Sequence, residues 1–430
     1  MQPDYGYFEE AKLDKIQDVR LLKRLRPFIR PYRLLLAGSI GLVLIITFLE
    51  LALPYVTKIA IDRYIVPLRT SAAPGQKAGL AADDRTIRVD LTDPQQQALV
   101  KKYRELFKVD GQTATIAYEA TARIAKPDLA ILRRSDLTGL AVLSAAFLAL
   151  VILDFILGFV QRMIMEYTGH MIMHDLRIVK SPQEVDLIKK AAGITERTFR
   201  RLLGFIAPGV WEFEIEAEIC HEFLRNRSRG PAFQTIIASG VDSCILHYVK
   251  NNKKCREGDL VLMDFGAEYA NYAGDVTRTV PVSGRFSKRQ KAVYNAVLNV
   301  HKAAIQMLTP GQTLDEYTRE VGKMMETELI GLGLLDAGEV KKQPEDQPLY
   351  KKYFPHGTSH HLGLDVHDYG DRYRKFESGM VLTCEPGIYI KDEAIGIRIE
   401  NDILITKDGP VDLTETIPRE VDEIEDLMNK

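Results

Sequence analysis

Apolar residues are distributed in two different ways along this chain. Residues 34–49, LLLAGSIGLVLIITFL, carry no charge, and the apolar run resumes beyond Glu50 as far as Val56. Residues 137–153, LTGLAVLSAAFLALVIL, are likewise uncharged and continue past Asp154 to Val160. About twenty apolar residues rising ~1.5 Å each cross a ~30 Å hydrocarbon core. The pattern therefore predicts two membrane-spanning helices, over 34–56 and 137–160. Two runs so close in length argue against the alternative, a pair of buried helices in a soluble bundle. A carboxylate deep in lipid costs about 2.5–3.5 kcal/mol. Glu50 and Asp154 are thus expected either to face other helices or to lie near a hydrated interface.

Beyond Arg177 the pattern shortens and alternates. Ser181-Pro182-Gln183-Glu184 reads as a capping box with proline at the first helical position. Val185, Ile188, Ala192, Thr195, Phe199 and Leu202–Leu203 follow at helical spacing. Further helices are predicted near Trp211, Ser287 and Thr313, the last two behind S/T-x-x-Q/E caps. The runs FQTIIAS, DLVLMDFG, DVTRTVPV, MVLTCEPGIYI and GIRIENDILIT predict strands. Helices alternating with hairpins give an α+β fold with an antiparallel-rich sheet.

Charge adds a topology. LLKRLRPFIRPYR places Lys23, Arg24, Arg26, Arg30 and Arg33 ahead of the first span, which favours a cytoplasmic N-terminus. Two spans return the chain to that side and leave the intervening segment outside, although Arg133 and Arg134 weaken the asymmetry. Within that segment SAAPGQKAGLAADD reads as a flexible stretch without chemistry. Over the whole chain 57 Lys+Arg balance 59 Asp+Glu, so no global field points to nucleic acid. The 4 cysteines, Cys220, Cys244, Cys255 and Cys384, form no CxxC pair and read as thiols in a reducing compartment. No cleavable signal peptide is evident, because mostly polar residues precede the first apolar run. REVDEIEDLMNK reads as a solvated helix or tail.

The chemistry lies in the second half. Asp264 and Asp275 flank a turn-rich stretch in LMDFGAEYANYAGDVTRTV, and Glu385 and Glu400 flank a second hairpin candidate in LTCEPGIYIKDEAIGIRIEN. Two facing hairpins would converge four carboxylates, and His360 of HGTSHHLGLDVHD adds an imidazole. Such a cluster cannot stay ionised when buried unless cations neutralise it. Four hard oxygen donors and one nitrogen suit two divalent cations that share ligands and activate water, which makes this half a hydrolase.

With those motifs on the page, residues from about 178 to 425 resemble the catalytic domain of aminopeptidase P (Xaa-Pro aminopeptidase). It belongs to the pita-bread metallopeptidase family, which also holds prolidase and methionine aminopeptidase. The resemblance implies a pita-bread fold in which Asp264 holds one metal, Asp275 and Glu400 bridge both, and His360 with Glu385 complete the second. It implies Mn2+, with Co2+ or Zn2+ as substitutes. His247, His356 and His367 match positions that support the metals or contact substrate, and Arg398 matches one near the substrate. The activity implied is removal of an N-terminal residue preceding proline, with prolidase-type cleavage of Xaa-Pro dipeptides as the nearest alternative. In that mechanism Glu385, His367 and His247 are the catalytic residues: His367 polarises the scissile carbonyl and Glu385 moves the proton, while His356 and Arg398 bind substrate and shape the pocket for the proline ring.

Residues 1–177 resemble the start of the transmembrane domain of a bacterial ABC exporter, through LLKRLRPFIRPYR, LALPYVTKIAIDRYIVP and QRMIMEYTGHMIMHDLR. No GxxxxGK(S/T) loop or LSGGQ-type signature accompanies them. Membrane transport is therefore an alternative only inside a bundle built with other chains. The expected division is 1–177 and 178–430. Its abrupt join lacks a Gly/Ser linker and marks a chimera, by gene fusion or by assembly of the gene sequence. The resemblances together imply a bacterial inner-membrane protein with two spans in the bilayer and a cytoplasmic catalytic domain. They also imply a peptide partner with proline in second position, and a homo-oligomer. The N-terminal domain that usually shapes that oligomer is replaced here by exporter-like sequence.

Overall fold

The computed structural model describes residues 23, 25–65, 86–344 and 346–430. Arg24 and the SAAPGQKAGLAADD stretch lie outside the described residues. The chain divides into two compact units, Met1–Met171 and Ile172–Lys430, with the division falling inside the helix Arg134–Ile178.

In the first unit both apolar runs are helical. One helix spans Arg33–Ile59, with Pro54 inside it, and continues as a π-helical turn over Ala60–Ile65. The other, Arg134–Ile178, outlasts the predicted end at Val160 because the following segment keeps helix-forming residues and has no proline before Pro182. Both are long and apolar enough to cross a membrane, and almost none of their apolar stretches is buried. Leu34, Phe48, Val142 and Phe155 stand exposed. Polar contacts between the two helical segments include Gln161 Nε2 donating to Ser39 Oγ at 3.2 Å and Arg133 donating to the Tyr64 carbonyl.

Between these helices the structure contains a small α+β element that the apolar pattern did not predict. Strands β1 (Thr86–Asp90), β2 (Phe107–Asp110) and β3 (Thr113–Ala117) form an antiparallel sheet in the order β1-β3-β2. The helices Pro94–Lys102 and Lys126–Leu132 accompany it. Asp93 caps the first of these, accepting from the Gln95 N–H at 2.8 Å with Pro94 at the first helical position. Ile87, Val89, Val100, Phe107, Ile116 and Leu132 make its core. Its strands are too short for their alternation to stand out in a polar segment.

The second unit follows the expected pattern more closely. The Ser181–Glu184 capping box starts the helix Pro182–Leu203, which buries Val185, Ile188, Ala192, Thr195, Phe199, Leu202 and Leu203. Helices Glu212–Arg225, Lys288–Met307 and Leu314–Gly331 begin where predicted, the last two behind the expected Ser287 and Thr313 caps. The strands are β4 (Ile236–Ser239), β5 (Leu260–Phe265), β6 (Glu268–Tyr269), β7 (Tyr272–Ala273), β8 (Val276–Pro281), β9 (Val381–Cys384), β10 (Gly387–Ile390), β11 (Ile395–Arg398), β12 (Asn401–Thr406) and β13 (Gly409–Asp412). Every strand pairing among the described residues is antiparallel, in the ladders β4-β5-β8, β6-β7, β10-β11 and β13-β12-β9. One large core, including Phe199, Phe223, Phe265, Tyr294, Tyr317 and Ile403, joins helices to sheet. All four cysteines are free thiols, with Cys255 and Cys384 buried.

Candidate active site

Each of two hairpins delivers a pair of acids. Asp264 lies in β5 opposite Thr277 of β8, and Asp275 immediately precedes β8. At Gly266 a Cβ would stand 1.6 Å from the Gly274 carbonyl oxygen, so only glycine lets the two strand ends close to this distance. The second pair sits at an interruption. MVLTCEPGIYI and GIRIENDILIT, each predicted as one strand, are both broken: Cys384 pairs with Asn401 and Gly387 with Arg398, leaving Glu385 and Glu400 in the gap. Their backbone N–H groups turn elsewhere, Glu385 to the Thr358 carbonyl at 2.8 Å and Glu400 to the Thr277 carbonyl at 3.1 Å. The latter bond ties one hairpin to the other. Arg278, fully buried, holds the same junction by donating to the carbonyls of Glu400 at 2.6 Å, Pro418 at 2.8 Å and Thr277 at 2.9 Å.

The imidazoles come from loops. His360 Nε2 lies 3.4 Å from Asp275 Oδ2, 3.9 Å from Glu385 Oε1 and 4.0 Å from Glu400 Oε1. Ligand atoms of Asp275, His360 and Glu400 all fall within 4.8 Å of one another. His367 packs edge-on against His360 with ring centroids 4.3 Å apart. His356 Nδ1 is 3.7 Å from Glu385 Oε2, and its Nε2 meets the Tyr389 hydroxyl at 2.8 Å. Arg398 donates to Tyr389 at 3.0 Å, to Thr277 Oγ1 at 2.9 Å and to Asp264 Oδ2 at 2.6 Å. Thr277 in turn donates to Glu400 Oε2 at 2.6 Å. Asp264, Asp275, His247, His356, His360, His367, Glu385, Arg398 and Glu400 all line one cavity of about 410 Å³. Phe233, Ile236, Leu246, Val249 and Val366 supply its apolar wall.

Burial sets the protonation of this cavity. Desolvation, then the charge of Glu400, pushes Asp275 and Glu385 well above the usual carboxylate range. Glu400 is raised to about 7 by burial and then by Asp264. The imidazoles move the other way. Burial, then Arg398, brings His356 down to about 3. Packing that strips water from one face of His367, then like charge on His360 and His247, lowers that ring too. His356 and His367 are therefore neutral rings beside Asp275, Glu385 and Glu400, which resist ionisation.

One oxygen each of Asp264 and Asp275 is buried with no hydrogen-bond partner. An orphaned buried acceptor is unfavourable, and a cation removes the penalty. His360 Nδ1 meets the His361 carbonyl at 3.0 Å; a carbonyl only accepts, so Nδ1 carries the proton and Nε2 offers a lone pair to the acids. These residues fit a pair of divalent cations.

Sequence reasoning missed Thr277, Arg278, Tyr389 and Asp402, whose carboxylate accepts the Asp275 N–H at 3.1 Å. A signal existed for Thr277, since alternation on a strand puts it on the face of Asp275. Tyr389 carried none, being one apolar-looking position of GIYI.

A model of metallopeptidase family M24 matches residues 186–407, which include all nine of these cavity residues. The Xaa-Pro aminopeptidase of Escherichia coli (strain K12) is 44% identical over 271 residues, 60% of this chain and 60% of that protein. Among solved structures, proline aminopeptidase P II from Yersinia pestis is similar with a TM-score of 0.56 and 42% identity, over 60% of this chain and 61% of that one. Aminopeptidase P from E. coli with the inhibitor Pro-Leu is similar with a TM-score of 0.57 at 42% identity, over 60% and 61%. The chain thus spans about 60% of the length of the relatives it matches. The matched unit has their pita-bread fold.

Proposed function

This chain belongs to metallopeptidase family M24, and from that premise we propose that residues 178–430 act as an aminopeptidase cutting between an N-terminal residue and a following proline. The observation that carries the reading is the convergence of four acids, four histidines and Arg398 on a single cavity. Asp264, Asp275, His360, Glu385 and Glu400 would hold two divalent cations, Mn2+ by resemblance, with Co2+ or Zn2+ as substitutes. When bound, such cations supply Lewis acidity and lower the pKa of water to ~7.

The remaining work falls to the chain itself. The apolar wall keeps bulk water from the scissile bond. His367, neutral near pH 7, donates to the substrate's carbonyl oxygen. Glu385, an anion when it serves as a ligand, takes the proton given up by the attacking water and passes it to the leaving nitrogen, with His356 Nδ1 3.7 Å from its carboxylate. A proline after the bond makes a tertiary amide with no N–H to recognise. Recognition therefore rests on ring shape, for which His356 and Arg398, joined through Tyr389, form a rigid surface. His247 stands exposed in the cavity wall, where a bound peptide can meet it.

The test is hydrolysis by the full-length chain with Mn2+ of an Xaa-Pro-Xaa tripeptide against an Xaa-Pro dipeptide. The reading expects tripeptide cleavage that is lost with chelator and restored by Mn2+. Cleavage of the dipeptide alone would make the chain prolidase-like, and no cleavage with Mn2+, Co2+ or Zn2+ would overturn the reading.

For residues 1–177 the proposal is a two-span anchor in a bacterial inner membrane with the catalytic unit on the cytoplasmic side. Exposed apolar helices and the basic residues ahead of the first support it. Release from membranes by alkaline carbonate would overturn it. The exporter resemblance supports no transport activity beyond these two helices.

A further inference from the structure

The loop that bears His360 and His367 is fixed from beneath by a buried ion-pair group. The Asp368 carboxylate lies 2.6 Å from Arg177 Nη2 and 3.0 Å from Lys180 Nζ, and the side chains of Asp368 and Lys180 are each 1% exposed. Gly363 leaves the room for this pair: a Cβ there would stand 2.1 Å from Asp368 Oδ2 and 2.9 Å from Lys180 Cε. Arg177 also meets Asp365 at 2.7 Å and covers the Tyr369 ring at 4.6 Å from its centroid. Neither Arg177, Lys180 nor Asp368 lines the cavity.

The path from this group to the cavity is short. The Asp368 backbone N–H donates to the His361 carbonyl at 2.9 Å. That same carbonyl accepts from His360 Nδ1 at 3.0 Å. The His361 ring is itself locked: it is buried, and a Cβ on Gly370 would fall 1.8 Å from its Cδ2. The hydrogen bond on the non-ligating nitrogen of a histidine sets its tautomer and ring orientation. A buried carboxylate shared by two cations is a firm anchor, because moving away from either leaves an unpaired charge.

We propose that Asp368, clamped by Arg177 and Lys180, is a positioning residue for His360: through the His361 carbonyl it selects the imidazole tautomer and aims Nε2 at the acids, and the same turn sets His367 beside it. Arg177 and Lys180 then act on the centre without touching metal or substrate. The kinetic part rests on the peptidase reading; the metal-affinity part does not.

The test uses the full-length chain and four variants, Arg177→Gln, Arg177→Lys, Asp368→Asn and Arg201→Ala. The last breaks the Arg201–Glu218 ion pair elsewhere in the unit and controls for stability. Calorimetry measures Mn2+ affinity, and an Xaa-Pro-Xaa peptide gives kcat and KM. Arg177→Gln is expected to weaken Mn2+ binding by about 10–100-fold and to lower kcat more than it changes KM. Arg177→Lys, which keeps the charge, restores most of the loss, and Asp368→Asn exceeds Arg177→Gln wherever it folds. Arg201→Ala lowers the melting temperature with Mn2+ affinity unchanged. Arg177→Gln binding Mn2+ as tightly as the unsubstituted chain, with only a lower melting temperature, would overturn the proposal. An unsubstituted chain that binds Mn2+ but cleaves no peptide would overturn the peptidase reading, and the affinities would still decide the positioning role.

Discussion

Asp264, Asp275, Glu385 and Glu400 sit in or beside strands, whereas His247, His356, His360 and His367 sit on loops, and different forces hold the two groups. The acids inherit their positions from ladders whose registers are set by many backbone bonds, with Glu400 further tied to Thr277 and Arg278. The imidazoles depend on a few single contacts: the His361 carbonyl for His360, Tyr389 for His356, the His360 ring for His367. Like charges can be forced together only on a frame that resists their repulsion, which a ladder provides. A neutral ring needs only direction, and one hydrogen bond supplies that.

Four experiments would break or sharpen this contrast. Replacing a strand-borne acid should do most. Glu400→Gln is expected to lower kcat/KM by about 10³-fold or more, the scale of several kcal/mol of lost metal stabilisation. The same change should raise the metal-free melting temperature at pH 8, since one member of a repelling cluster is gone. Unchanged kcat/KM would remove Glu400 from the centre.

A loop-borne imidazole should cost less and act on a different quantity. His367→Ala is expected to reduce kcat by about 10²–10³-fold, as for loss of one donor to a developing oxyanion. Mn2+ affinity should stay near that of the unsubstituted chain. A large loss of affinity would instead make His367 a support of the metals.

Tyr389→Phe deletes the hydroxyl shared by His356 and Arg398. The expected loss is about 1–3 kcal/mol, roughly 5- to 150-fold in kcat/KM. An effect as large as that of Glu400→Gln would mean that the hydroxyl meets the substrate directly.

The smallest effect is a pH dependence of stability in the metal-free chain. Folded Glu400 keeps its proton to about 7, while the unfolded residue loses it near its ordinary value of 4.5. Between those values the native state binds more protons, so stability falls as pH rises through this window. Asp275 and Glu385, also raised, add to the same slope. A drop of a few degrees in melting temperature from pH 5 to 7.5 is expected, with Mn2+ reversing it and releasing protons on binding. A melting temperature that rises over this range would mean that the acids are already ionised in the fold.

How much was legible varied from one element to the next. The capping boxes at Ser181, Ser287 and Thr313 marked helix starts because each cap closes within three residues. The apolar runs at 34–56 and 137–160 are helical for the same local reason. The element over residues 86–132 went unread, since TIRVD and TATIA become a sheet only by pairing with each other. The five residues proposed as ligands were visible as residue types on apolar flanks, and the motifs carried the four other cavity residues. The break in the β9–β12 hairpin that frees Glu385 and Glu400 was only half visible: Pro386 cannot donate to a ladder and marks the gap on one side, whereas nothing in RIEN distinguishes a gap from a continuous strand.

By itself, then, the sequence determined the helices, most of the strands, the acids and imidazoles, and the family to which they belong, because periodicity, caps and ligand types are written within short stretches. Only the tertiary structure decided that Thr277 would bind Glu400, that Arg278 would brace the junction, and that Asp368 would reach His360 through a carbonyl. Those contacts join residues far apart in the chain, and what selects them is the geometry of the packed sheet and the need of each buried charge for a partner.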